Sequence, residues 1–222
     1  MYTVDSKQNK KGLEKNELDI SDKSGNNFLK DVIQFKIVYW GPGESGKTTS
    51  YFRLREKFDG VKLNLGYSIE TTDGRTLWQD SVRLSFYLNL ETAKFNVVTQ
   101  IVTATGQERF LSTREYVLDG ADGVVFVADS DPKKMEQNKR SFRELLSFTS
   151  EQDVPFVIQL NKRDLEEAIS IEAFKKELGL PKFESYEDGT QVVYPTVAIE
   201  GESVRKCFED LMVLVLFNFF RE

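Results

Sequence analysis

The chain has 222 residues, 40% of them hydrophobic, and one cysteine. That size supports one α/β domain with a proper core and excludes a disulfide framework. Thirty Lys and Arg against 36 Asp and Glu leave a formal charge of −6, which argues against nucleic-acid binding because phosphate neutralisation needs a basic surface. The chain contains no histidine, so Ser-His-Asp catalysis and histidine bases or metal ligands are excluded.

Residues 1–27 carry five lysines against five acids and no apolar segment, and read as a polar, disordered tail without a signal peptide. Tyr2 excludes N-myristoylation and the Phe219-Phe220-Arg221-Glu222 end carries no prenylation cysteine. No stretch is long enough to span a bilayer, and the expectation is a cytoplasmic protein. From residue 28 to 222 strand and helix signals alternate, the pattern of a single α/β domain with a mainly parallel sheet covered by helices on both faces.

Six strands are expected. The first, Phe35–Trp40, leads into a glycine loop and then a helix with Tyr51, Leu54 and Phe58 on one face. Arg83–Leu88 and Phe95–Ile101 read as a hairpin pair. Gly123–Ala128 and Pro155–Leu160 are near-continuous apolar runs, as expected for strands buried on both faces. Gln191–Val197 is a shorter last strand, with Pro195 near its end. A helix is predicted after Asp131-Pro132, with Met135, Phe142, Leu145, Leu146 and Thr149 on its stripe. Another spans Ile171 to Leu178 and stops near Gly179. The last begins after Gly201 and buries Val204, Cys207, Phe208, Leu211 and Val215.

The loop itself, Gly41-Pro42-Gly43-Glu44-Ser45-Gly46-Lys47-Thr48, is a complete G-x-x-x-x-G-K-[ST] sequence between strand and helix, the context that makes it a phosphate cradle. Backbone N–H groups from Gly43 through Thr49 would face the anion, and the helix N-terminus adds its positive end. Lys47 would reach the β- and γ-phosphates, and the Thr48 hydroxyl would bind Mg²⁺. The loop predicts a P-loop NTPase fold holding a nucleoside di- or triphosphate.

Asn161-Lys162-Arg163-Asp164 follows directly on the apolar strand ending at Leu160. The Asp164 carboxylate can accept from both the ring N1–H and the exocyclic amine of guanine, a pair that adenine does not offer. Asn161 can bond the keto edge, and Lys162 can lay its stem along the base. After the last strand, Val197-Ala198-Ile199-Glu200-Gly201 resembles by position the S-A-K loop that closes guanine pockets, which implies the Ala198 N–H at the guanine keto oxygen, although Ile199 lacks that loop's lysine stem. The implied ligand is GTP or GDP.

Between these motifs lies Thr103-Ala104-Thr105-Gly106-Gln107-Glu108-Arg109-Phe110. With Gly120-Ala121-Asp122-Gly123, the loop and the N-K-x-D segment, about residues 33–220 resemble the Ras-like small GTPase superfamily. Thr103 replaces the family's aspartate; together with Phe126–Ser130 and Val157–Leu165 it looks like the MglA-type subgroup of bacterial and archaeal small GTPases. The resemblance implies that the Gly106 amide bonds the γ-phosphate and Gln107 orients the attacking water. It also implies a first switch at Glu70–Trp78, with Thr76 on Mg²⁺, Thr72 as the other candidate, and Arg75 as an arginine finger in cis. Leu77 and Trp78 would offer a nucleotide-dependent surface. Effectors and regulators, including Roadblock-domain proteins, are the implied partners.

The reading is therefore a GTP-hydrolysing molecular switch with slow intrinsic turnover. Two alternatives stand beside it: a scaffold that holds GTP or GDP without turnover, and a P-loop ATPase or kinase. The tail of the last helix, Leu211–Phe220, is apolar all round. About half of it should pack on the sheet, leaving the rest to cover another segment, a partner or a membrane surface.

Overall fold

The computed structural model describes residues 31–58, 62–64, 81–89, 94–104, 116–149, 154–180, 185 and 191–221. The 1–27 tail and the proposed switch segment 70–78 lie outside these residues, as do Gly106 and Gln107.

One mixed sheet organises the chain. Its strands are β1 (Asp31–Trp40), β2 (Lys62–Asn64), β3 (Ser81–Asn89), β4 (Lys94–Thr103), β5 (Gly123–Asp129), β6 (Phe156–Asn161) and β7 (Val193–Pro195). They lie in the order β2-β3-β4-β1-β5-β6-β7. β1 pairs in parallel with β4 and β5, and β6 in parallel with β5 and β7; β3 runs antiparallel to β2 and β4. The six expected strands are all present and the hairpin closes at Asn89↔Lys94. A seventh, β2, extends one edge. Its three residues Lys-Leu-Asn form no apolar run, so nothing in the pattern marks it.

The helices are α1 (Lys47–Lys57), α2 (Met135–Thr149), α3 (Ile171–Leu178) and α4 (Glu202–Arg221). α1 and α4 cover one face of the sheet, where Ile37 and Tyr39 of β1 meet Tyr51, Leu54, Cys207 and Leu211. α2, α3 and a helical turn at 116–118 cover the other, where Val38 and Trp40 meet Phe142, Leu145 and Phe174. Successive residues of β1 thus feed opposite cores, the strand period of two read directly in packing. Because β1, β4, β5 and β6 are parallel, their carboxyl ends open on one edge, where α/β folds place ligands.

Local signals explain most boundaries. Asp131 caps a 3-10 turn at Pro132–Lys134 by accepting from Lys133 N, and α2 follows. Ser170 accepts from Ala173 N at the start of α3, and Gly179 ends that helix with φ 64°. On α2 the stripe differs from expectation. Met135, Phe142 and Leu145 are buried, but Leu146 is exposed, and Asn138 and Ser141 take the remaining inward positions. The helical period places 138, 141, 142 and 145 on one arc and carries 146 past its edge.

The α4 tail divides as expected. Leu211, Met212, Leu214 and Val215 are buried, while Val213, Phe217, Phe219 and Phe220 are exposed. No helix among the described residues is long and apolar enough to cross a membrane. Cys207 is fully buried, and burial, reinforced by Asp210, pushes its thiol far above the ordinary range. A thiol held protonated cannot attack. The native protein should therefore resist labelling by a disulfide reagent at mildly alkaline pH, and label once at Cys207 in denaturant. Rapid labelling of the native chain would contradict this packing.

Candidate functional site

The site begins where β1 runs out. Trp40 is anchored by Nε1 donating to Ser141 O at 3.0 Å, so the strand end is fixed against α2. The chain then turns through Gly41 at φ +146°, where a Cβ would stand 2.2 Å from the Val127 carbonyl oxygen. Glu44 also adopts positive φ, at 64°, a strained position of the kind that concentrates at functional sites. Gly46, at φ +102°, caps the start of α1, and a Cβ there would stand 2.2 Å from Asn161 Nδ2. The loop is thus pressed against β5 and the β6 loop so closely that only glycine fits at both positions.

Lys47, the first residue of α1, is only 7% exposed. Its ammonium folds back over the loop and donates to Gly41 O at 2.9 Å and Pro42 O at 2.6 Å. A buried cation above a helix N-terminus is an anion site in both charge and geometry. The first turn is secured from below: Ser50 Oγ donates to Gly46 O at 2.9 Å and accepts from Gln159 Nε2 at 2.6 Å.

Asn161 ends β6 and is 2% exposed. Its Nδ2 donates to Ser45 O at 2.9 Å, and its Oδ1 accepts from Ala198 N at 2.8 Å and Thr196 Oγ1 at 3.2 Å. One side chain therefore joins the phosphate loop, the β6 loop and the loop after β7. Both groups expected at the guanine edge have protein partners here. The Ala198 N–H is given to Asn161 rather than held out for a guanine keto oxygen. The Asn161 carboxamide is mostly spent inside the protein, since both lone pairs and one of its two N–H bonds are used.

Lys162 takes positive φ, 64°, and its ammonium pairs with Asp129 Oδ2 at 2.7 Å. Asp164, two residues on, is exposed, and its carboxylate has no hydrogen-bond partner among the described residues. Arg163 stitches the loop down, with Nη1 donating to Ile169 O at 2.5 Å and Ser130 Oγ at 3.2 Å. Thr48 lies in the first turn of α1 and Thr103 at the end of β4, 1% exposed and in register with Tyr39. Among the described residues no three His, Cys, Asp or Glu side chains gather. The donor set is neutral hydroxyl oxygen, which fits Mg²⁺ where phosphate oxygens complete the shell and supply the charge.

The structure thus brings Gly43, Glu44, Ser45, Gly46, Lys47, Thr48 and Thr49 together with Asn161, Lys162, Asp164 and Ala198 on one edge of the sheet. Arg75, Thr76, Thr72, Gly106 and Gln107 lie outside the described residues. Sequence reading missed Asp129, Asn138 and Gln159. All three are buried polar residues; for Asp129 and Gln159 the available signal was a polar residue ending or inside an otherwise apolar run, while Asn138 lies in a polar stretch of α2 that carried no such signal.

A model of the ADP-ribosylation factor (Arf) family matches residues 85–215. The mutual gliding-motility protein MglA of Myxococcus xanthus (strain DK1622) is 37% identical over 175 residues, covering 77% of this chain and 86% of that protein. The ADP-ribosylation factor-like protein 4A of Homo sapiens is 28% identical over 190 residues, covering 85% of this chain and 86% of that protein.

Asn161→Ala should loosen both halves of the site at once, because it orphans the Ser45 carbonyl and the Ala198 N–H in a buried place. Roughly 2–4 kcal/mol of stability should be lost, read by denaturant unfolding. Nucleotide affinity should fall at least about tenfold in the same variant, since 1.4 kcal/mol is already a factor of ten. Wild-type stability would contradict the joint.

Proposed function

This chain belongs to the ADP-ribosylation factor family of Ras-like small GTPases, and on that premise we propose that it is a slow GTP-hydrolysing switch whose two loop segments follow the γ-phosphate. The observation that carries the proposal is the joint at Asn161, which ties the phosphate loop to the loops suited to a guanine base. Asn161 thereby fixes the two loops relative to each other, while each keeps its own contacts to the ligand.

Each residue has a defined task in this reading. The loop amides from Gly43 to Thr49 and the Lys47 ammonium hold the β- and γ-phosphates, and Lys47 stabilises the charge that develops in transfer. The Asp164 carboxylate takes two guanine N–H groups, and the Lys162 stem lies along the ring. Thr48, joined by Thr76 or Thr72 of the first switch, would hold Mg²⁺, which neutralises phosphate oxygens when bound. Gly106 donates its N–H to the γ-phosphate and Gln107 positions the attacking water. Arg75 approaches the same phosphoryl group as a finger in cis. Loss of the γ-phosphate frees both segments, and the surface around Leu77 and Trp78 then changes for effectors and regulators, Roadblock-domain proteins among them. The protein works in the cytoplasm.

A second reading, a nucleotide-holding scaffold without turnover, is favoured by Thr103. A buried neutral hydroxyl at the end of β4 brings no charge to the metal shell. Single-turnover hydrolysis of bound GTP separates the two readings. Gln107→Leu should slow it roughly 10- to 100-fold, the scale of a lost positioning contact; an unchanged rate would remove Gln107 from catalysis. Asp164→Asn should weaken GDP by at least about 100-fold and shift preference toward xanthine nucleotides, because the exchanged donor then faces a keto group. ADP competing as well as GDP would overturn the guanine assignment.

A further inference from the structure

Resting on the guanine reading above, we propose that Asp129 is the positioning residue of the base site: its buried carboxylate fixes Lys162 and so sets how tightly the ring is held. Asp129 is the last residue of β5, in register with Asn161, and is 1% exposed. Every part of it is constrained. Asn138 on α2 accepts from its backbone N–H at 3.0 Å and donates to its carbonyl at 2.8 Å. Oδ1 accepts from the Asp131 N–H at 3.0 Å. That leaves Oδ2, which faces the Lys162 ammonium at 2.7 Å.

Lys162 is held at both ends as a result. Its backbone sits at φ +64°, a left-handed position that non-glycine residues keep only when their surroundings enforce it. Its ammonium is pinned 33 residues away in sequence on β5, while its side chain stays 36% exposed. An ordinary surface lysine keeps its rotamer freedom and pairs weakly. This one has surrendered that freedom before any ligand arrives, so a base packed on its stem meets an ordered wall. The pair is not a surface ion pair, since the carboxylate is removed from water and needs its cation. The chain from α2 through Asn138, Asp129 and Lys162 thus ends at the base, separate from the Lys47 cradle.

That separation supplies the test. In the full chain, Asp129→Asn keeps size and removes charge. It should speed GDP dissociation about tenfold, the scale of a lost charge-assisted contact. Affinity for tripolyphosphate, which has no base, should stay within about twofold, the usual tolerance for independent sites. Lys162→Met, which attacks the pair from its exposed end, should give the same split, and the two changes together should add less than about twofold to either alone. The proposal is overturned if GDP dissociation is unchanged, if GDP and tripolyphosphate weaken alike, or if the two effects multiply in full. Wild-type protein that holds ADP as well as GDP would instead bring down the guanine reading itself, before any variant is compared.

Discussion

β6 delivers two carboxamides to the same face of the sheet, and the site depends on the second of them. Gln159 and Asn161 stand two residues apart, so both turn toward α1, while Leu160 between them enters the opposite core. Gln159 grips the first turn of α1 through Ser50, and Asn161 grips the loop before it through Ser45. Asn161 also holds Thr196 and Ala198. The requirement is chemical and steric together. Aspartate has acceptors but no donor for the Ser45 carbonyl, and glutamine would push a methylene into space already closed by Gly46. Gly46 is therefore in the motif for a second reason beyond loop curvature: it leaves room for the residue that ties the loop to the rest of the site.

Much of this was legible because it rests on strong local signals. The end of α3 follows from Gly179, the central strands from unbroken apolar runs, and the phosphate loop from its flanks. What was hidden is partnership between distant residues. Nothing in the order of residues says that Asn138 will clasp Asp129, or that the Ala198 N–H will turn to Asn161. A buried polar side chain looks like a break in an apolar pattern until its partner is in place. Leu146 and β2 were obscured for another reason: the period of a helix stripe shifts by one position at its edge, and a three-residue strand has no period at all.

The two ends of the sheet divide the work. The phosphate loop and the Asn161–Asp164 segment sit at the carboxyl ends of β1 and β6, with Asp129 at that of β5. At the other end the α4 tail lays Phe219 against Phe35 at 5.5 Å and Phe220 against Phe95 at 5.6 Å. Aromatic packing there stabilises the middle of β1 and the amino end of β4 without touching the loops. The apolar excess of α4 is thus partly accounted for by its own sheet.

The central claim is that one side chain makes the phosphate and base loops a single mechanical unit. Hydrogen exchange with tripolyphosphate as the ligand tests it most directly, because that ligand can touch only the phosphate loop. The account predicts added protection in 41–48 and also in 161–164 and 196–199, transmitted through Asn161. Protection confined to 41–48 would contradict it.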